Sequence, residues 1–242
     1  MTEAKFFRWG IELRGHDFDV LDWLETLNRP FEPFVERREV QGDRVVLFSS
    51  QFESEVNADA VRGMADGIVS SLNGAMTLMR GGDLLSISGV IDFSTAPPSR
   101  HNFGVLIAGT ARVRMSSTGT LTVRDASGNV VPPPPPTPSA PQRWISETGA
   151  VQDAVADLLS YAGRCSDWFE MYKLIEAAGV AAGCANQLVA ICGPDLKLAR
   201  ATANYYRHHN TYRPPSLMPF DEARAHALHA ARTALDRIAP SA

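Results

Sequence analysis

No run in this 242-residue chain approaches the roughly 20 consecutive apolar residues that a membrane-spanning helix needs. The N-terminus, Met-Thr-Glu-Ala-Lys-Phe-Phe-Arg, lacks the extended apolar segment of a secretory signal, so the expectation is a cytoplasmic protein with no membrane partner. Cysteine is scarce. Cys165, Cys184 and Cys192 form an odd set without CxxC spacing, which argues against a disulfide framework or a zinc knuckle and for reduced thiols in a core. Residues 1–131 contain no GxGxxG, GxxxxGKS/T or GxSxG pattern, so the phosphate loops and nucleophile elbow built on those patterns are not expected. Acidic residues are missing from one stretch: residues 196–220 hold Lys197, Arg200, Arg207 and Arg213 but no Asp or Glu, in a chain of formal net charge -4.

What is present describes a globular protein. The chain is 45% hydrophobic and 21% charged, and its length has room for two ordinary domains. Trp9, Ile11 and Leu13 alternate with polar residues as in a strand with one buried face. Val20, Leu21, Leu24 and Leu27 follow at helical spacing, led in by Asp17 and Asp19, and Asn28-Arg29-Pro30 ends that helix. Val45 to Phe48 reads as a buried strand. Asn57 is a good N-cap for a longer helix whose stripe runs through Val61, Met64, Ala65, Ile68, Leu72, Ala75, Met76 and Met79. Gly63, Gly67 and Gly74 interrupt it at about 1 kcal/mol each relative to Ala, which points to close packing against a sheet. Beyond Gly81-Gly82, residues 84–93, 105–115 and 120–124 return to strand patterns, with a turn at 125–129.

Seven of the sixteen prolines fall between Pro132 and Pro141, a composition that favours an extended, semi-rigid spacer. After it no convincing strand occurs. Val151, Val155, Leu158, Leu159 and Ala162 share one helical face; Asp167 with Glu170 starts a second helix that turns Trp168, Tyr172 and Ile175 inward and ends at Gly179. Residues 185–191 make a short third helix, Gly193-Pro194-Asp195 opens a fourth, and Asp221 with Glu222 leads into a fifth. The expected fold class is therefore α+β over residues 1–131, a mostly antiparallel sheet with two helices on one face. A Pro-rich linker at 132–143 joins it to an all-α bundle over 144–242.

On the fourth helix Arg200, Asn204 and His208 fall one turn apart along a ridge. An imidazole there can act as general acid or base near neutral pH, and arginine and asparagine beside it can hold and polarise a phosphodiester. Lys197, Arg207 and Arg213 add further phosphate contacts. The bland alternative is a set of capping and solvated residues at a helix end. His226 and His229 stand i, i+3 on the last helix, too few converging ligands for a metal even with His208 or His209, so neither a metal nor another cofactor is expected.

The helix from Asp167 through Glu176, the later run Ala203-Asn204-Tyr-Tyr-Arg-His208 and the closing helix from Glu222 together resemble the HEPN superfamily. That family is common in prokaryotic toxins, antiphage defence and RNA processing. Many members are metal-independent ribonucleases whose motif is an arginine, a polar residue, about three residues and a histidine, with an active site shared across a dimer. The resemblance covers the last hundred residues or so and implies RNA as partner, His208 and Asn204 as catalytic residues and a homodimer through the C-terminal helices. The motif arginine is replaced by Ala203. Arg200, one turn back, is the expected substitute, because Arg207 projects about 100° away from His208 around the helix. A non-catalytic assembly, RNA-binding or protein-interaction module is the alternative, and the N-terminal domain would serve sensing or a protein partner.

Overall fold

A computed structural model describes residues 6–103, 135–146, 152–208 and 213–240. The strands expected at 105–115 and 120–124, the turn at 125–129 and the prolines at 132–134 lie outside the described residues.

The N-terminal part is an antiparallel five-stranded sheet of order β2-β3-β1-β4-β5, formed by β1 (Trp9–Arg14), β2 (Phe34–Glu39), β3 (Asp43–Phe48), β4 (Ser86–Asp92) and β5 (Ser99–Asn102). β1 is central, and this corrects the one-faced reading of it. Its Trp9, Ile11 and Leu13 enter the core beneath the helices, but Gly10 and Glu12 on the other face are buried too. A second apolar cluster of Phe7, Phe34, Val40, Val46, Phe48 and Ile91 accounts for part of that face. The outer strands among the described residues, β2 and β5, carry sequences (FVERRE and SRHN) without alternation and are held by their backbone ladders, with Phe34 and Val35 of β2 buried as well.

Helices α1 (Asp17–Thr26) and α2 (Ala58–Arg80) lie on one face of the sheet, contributing Val20, Trp23, Val61, Ala65, Ile68 and Leu72 to the same core. α2 starts and stops as its sequence dictates. The Asn57 side chain accepts from the Ala60 N–H, and Gly81 at φ 67° supplies the left-handed residue that closes the last turn. Asn73 joins helix to sheet by pairing its amide with both the N–H and the C=O of Leu85, each at 2.8 Å.

The C-terminal part is helical: α3 (Ala140–Ser146), α4 (Gln152–Arg164), α5 (Trp168–Ala181), α6 (Ala185–Cys192), α7 (Pro194–His208) and α8 (Phe220–Ile238). The Asp167 cap is present, accepting from the Glu170 N–H at 2.8 Å, but α5 runs past Gly179 to Ala181 and the chain turns at Gly183, φ 80°. α2 reaches across to this part, since its Ala75 and Leu78 belong to the cluster built by α4, α5, α7 and α8. Gly74 is the contact point. A Cβ there would lie 1.8 Å from the Leu159 carbonyl oxygen of α4, so the close packing expected of this glycine is against a helix, not the sheet. Gly63 and Gly67 have nothing within 4 Å of such a Cβ and no packing reason of this kind.

The proline-rich segment departs from a plain spacer. α3 begins inside it with a capping box: the Ser139 Oγ accepts from the Gln142 N–H, and the Gln142 Oε1 accepts from the Ser139 N–H at 3.0 Å. Gln142 Nε2 also donates to the carbonyls of Asn28, Phe31 and Pro33, tying α3 to the connection between α1 and β2.

Of the three thiols only Cys165 is buried, and burial pushes its pKa up to about 11. Cys184 caps α6, where the N–H groups of Gln187 and Asn186 hold its pKa below the ordinary thiol value. Among the described residues no single helix is long and apolar enough to cross a membrane, and α5 with α6, which together approach that composition, are bent by 103°.

Candidate functional site

The rotation of α7 is set by its core face. Leu196, Ala199 and Ala203 are fully buried among the bundle residues, and Thr202, also buried, accepts from the Met218 N–H through its Oγ1. Ala203, the position at which the motif arginine is missing, is therefore a packing position. With that face turned in, Arg200, Asn204, Arg207 and His208 come to the outer side of α7 beside α5.

α5 meets them with two aromatic rings one turn apart. Tyr172 lies under both arginines, the Arg207 Cζ 4.0 Å and the Arg200 Cζ 5.7 Å from its ring centroid. One turn earlier Trp168 stacks on Tyr206 at 4.6 Å with 19° between the planes, and Phe220 of α8 meets it edge-on at 5.1 Å. One turn later stands Glu176. Its carboxylate takes the Lys173 ammonium at 2.9 Å and a hydrogen bond from the Tyr172 hydroxyl. Burial works to raise its pKa, but these two bonds and the charges of Lys173 and Arg207 outweigh it and hold the carboxyl below its ordinary value. The acid is thus bonded within α5, and it also feels the charge of Arg207 on α7.

His208 is exposed, and its partner is Arg207. The Arg207 Nε donates to His208 Nε2 at 2.9 Å, and a terminal guanidinium nitrogen stands 2.6 Å from the same atom. A guanidinium has only donors, so in this geometry Nε2 is the acceptor. The arginine that meets His208 among the described residues is thus Arg207, while Arg200, the expected substitute for the motif arginine, lies over Tyr172. The roughly 100° between neighbouring Cβ directions is bridged by the long arginine side chain, which bends back over Tyr172 and reaches His208 from there. The Arg200 side chain makes no hydrogen bond among the described residues, and neither does that of Asn204, which lies on the same ridge half-buried between Arg200 and His208.

Lys197, exposed one turn before Arg200, extends the basic side of α7. Arg213 is exposed beyond the helix and is not joined to the cluster, and residues 209–212, His209 among them, lie outside the described residues. The residues that sequence reasoning missed are on α5. Tyr172 is buried in the bundle core as its inward spacing predicts, but the spacing does not reveal that its ring also lies under Arg200 and Arg207, nor that Glu176, at i, i+4 from it, stands beside them. His226 and His229 are half-buried and exposed on α8, and no group of three or more His, Cys, Asp or Glu among the described residues is disposed to hold a metal ion. Chemically the arrangement offers two guanidinium groups that converge on one tyrosine ring from residues two helical turns apart, an amide, an accessible imidazole and a neighbouring stacked aromatic pair. No family model, curated protein or solved structure matches the chain.

Proposed function

We propose that this chain is an RNA-directed, HEPN-like protein whose α7 face binds the sugar-phosphate backbone. The observation that carries the reading is the convergence of Arg200 and Arg207 on the Tyr172 ring, on a helix without a carboxylate after Asp195. A ring beneath two guanidinium groups orients them while leaving their N–H edges for an anion, and the open donors of Arg200 suit a phosphate. Lys197 and Asn204 extend the contact along the helix, and Arg213 adds charge beyond it. Phe169, Val180 and Ile191, 50%, 68% and 51% exposed on α5 and α6, give the C-terminal helices apolar surface for the homodimer that belongs to this reading. Light scattering returning twice the 26.3 kDa chain mass would support that dimer, and the monomer mass would remove it. The biological setting within this reading is antiphage defence or a toxin–antitoxin pair, with the N-terminal part receiving a protein partner.

Fluorescence anisotropy with a labelled single-stranded RNA tests it. The affinity should fall with salt at a log–log slope of about -2, as neutralising three phosphates of a single strand requires. The Arg200→Ala, Arg207→Ala double variant should weaken binding by about tenfold or more. Equal affinity of parent and double variant would remove the reading.

The Arg207–His208 contact favours a second reading, metal-independent cleavage. Once the Arg207 guanidinium turns from His208 Nε2 onto the phosphate, that nitrogen would take the proton of the RNA 2′-hydroxyl as it attacks the adjacent phosphorus, the resulting imidazolium would return the proton to the leaving 5′-oxygen, and Arg207 would stabilise the phosphorane charge in place of the arginine missing at 203. Cleavage by the parent protein in excess chelator, lost in His208→Ala, is the expected result of that chemistry. RNA bound but uncut by both proteins would leave the binding module alone.

A further inference from the structure

We infer that a second site, in the sheet and apart from α7, binds a nucleoside phosphate. It is built around a carboxylate in an unexpected place. Glu12 sits mid-strand in β1 at 5% exposure, where a central strand ordinarily carries an apolar side chain. Two guanidinium groups meet it. Arg100 of β5 donates through Nε to Glu12 Oε2 at 2.6 Å, and Arg44 of β3 approaches Oε1 at 3.4 Å. The neighbouring strand makes room for this group. Gly89 is the register partner of Glu12 on β4, and a Cβ there would stand 3.0 Å from both Glu12 Oε2 and the His101 carbonyl oxygen.

One carboxylate between two guanidiniums leaves a positive charge uncompensated, and burying a carboxylate between two partly buried arginines is a poor way to stabilise a sheet. The same cluster is well suited to hold cationic side chains still. Arg44 spends its other nitrogens on the carbonyls of Val40 and Gln41, which fixes its plane. Arg100 keeps both terminal nitrogens without a hydrogen bond among the described residues. Arg14, two residues beyond Glu12, is exposed and has no side-chain partner among them.

These groups line one cleft of about 730 Å³, a volume within the range of small-molecule sites. Its cationic wall is Arg14, Arg44 and Arg100. Its other wall is apolar, formed by Leu13, Val20, Val45 and Leu21, the last 45% exposed. Two further carboxylates lie in the lining. Asp43 is paired with Arg37 at 2.6 Å, and Asp17 has no ion pair among the described residues, so it remains an acceptor for a hydroxyl or amino group. Phosphate oxygens fit Arg14 and the open edge of Arg100, a planar base fits the Leu21 wall, and Asp17 suits a ribose hydroxyl or an exocyclic amine. An inorganic anion would use only the first of these, and an uncharged nucleoside only the other two.

Calorimetric titration of the full chain with each of the four common nucleoside triphosphates, with adenosine and with inorganic phosphate tests the site. At least one triphosphate should bind, with phosphate alone and adenosine each at least tenfold weaker. Arg14→Glu, at an exposed position that leaves the Glu12 cluster intact, should weaken the triphosphate by about tenfold or more. Leu21→Asp should weaken it too while leaving the weak affinity for inorganic phosphate unchanged. The Arg200→Ala, Arg207→Ala double variant should bind it as the parent does, which separates this site from the α7 face. No binding of any triphosphate at millimolar concentration, binding of phosphate as tight as that of the best nucleotide, or an unaltered Arg14→Glu affinity would each overturn the proposal.

Discussion

Gly74→Ala should lower the melting temperature by about 9 °C, from a net loss of about 3 kcal/mol. In an isolated helix the change would stabilise by about 1 kcal/mol, because alanine is the better helix former. The tertiary contact reverses the sign. The added Cβ would stand 1.8 Å from the Leu159 carbonyl oxygen, 2.6 Å from its carbon and 3.0 Å from its Cα. All three are backbone atoms of α4, so no side-chain rotation relieves the overlap and the two helices must separate. Gly163 lies on the facing surface, where its own Cβ would be 3.2 Å from the Gly74 nitrogen, so the approach is close from both sides. Gly67→Ala is the control: with nothing within 4 Å it should stabilise by about 0.7 kcal/mol. A Gly74→Ala protein as stable as the parent in thermal denaturation would mean that α2 and α4 do not meet at this point.

Gln142→Leu should cost about 3 kcal/mol in urea denaturation, a large share of the stability of an ordinary domain. Leucine nearly matches glutamine in volume, so the loss is one of hydrogen bonds. The Gln142 Nε2 serves three carbonyls, at 3.0 Å from Asn28, 3.0 Å from Phe31 and 3.1 Å from Pro33, and the residue is 1% exposed. Without that donor the carbonyls face apolar atoms, and buried acceptors without partners carry their full desolvation cost. Gln142→Glu separates this effect from the loss of the helix cap. Its carboxylate can still accept from the Ser139 N–H but has no donor for the carbonyls, so it should destabilise at least as much as leucine. If glutamate behaved like the parent, the cap and not the three-carbonyl contact would be what holds α3.

The elements recovered from the sequence have local origins. The Asn57 cap of α2, the Asp167 cap of α5 and the Gly193-Pro194 start of α7 each depend on residues no more than three positions apart, and the helical stripes repeat within a turn. The elements missed are of two kinds. Among the described residues β2 and β5 are the outermost strands, where backbone pairing to β3 and β4 makes the strand and the side chains need no alternation. α3 does have a signal, the Ser139-to-Gln142 capping box, but it is surrounded by prolines whose composition favours an extended segment. Glu12 shows the reverse failure. Its polar position in an alternating strand reads as solvent-facing, and only the arrival of Arg44 and Arg100 from strands 32 and 88 residues away makes its burial tolerable.

In the α7 stretch, too, the sequence alone determined a basic ridge: a helix opened by Pro194, arginines on one side, no carboxylate after Asp195, and Asn204 and His208 one turn apart. Those properties follow from a repeat of 3.6 residues and from side-chain charge, which act within a few residues. Tertiary structure decided that Ala203 faces the core, that Tyr172 lies beneath Arg200 and Arg207, and that Arg207 is the arginine that reaches His208. Those outcomes depend on how α5 crosses α7 and on the rotamer that the crossing leaves open to a long side chain, and neither is encoded within a single helix.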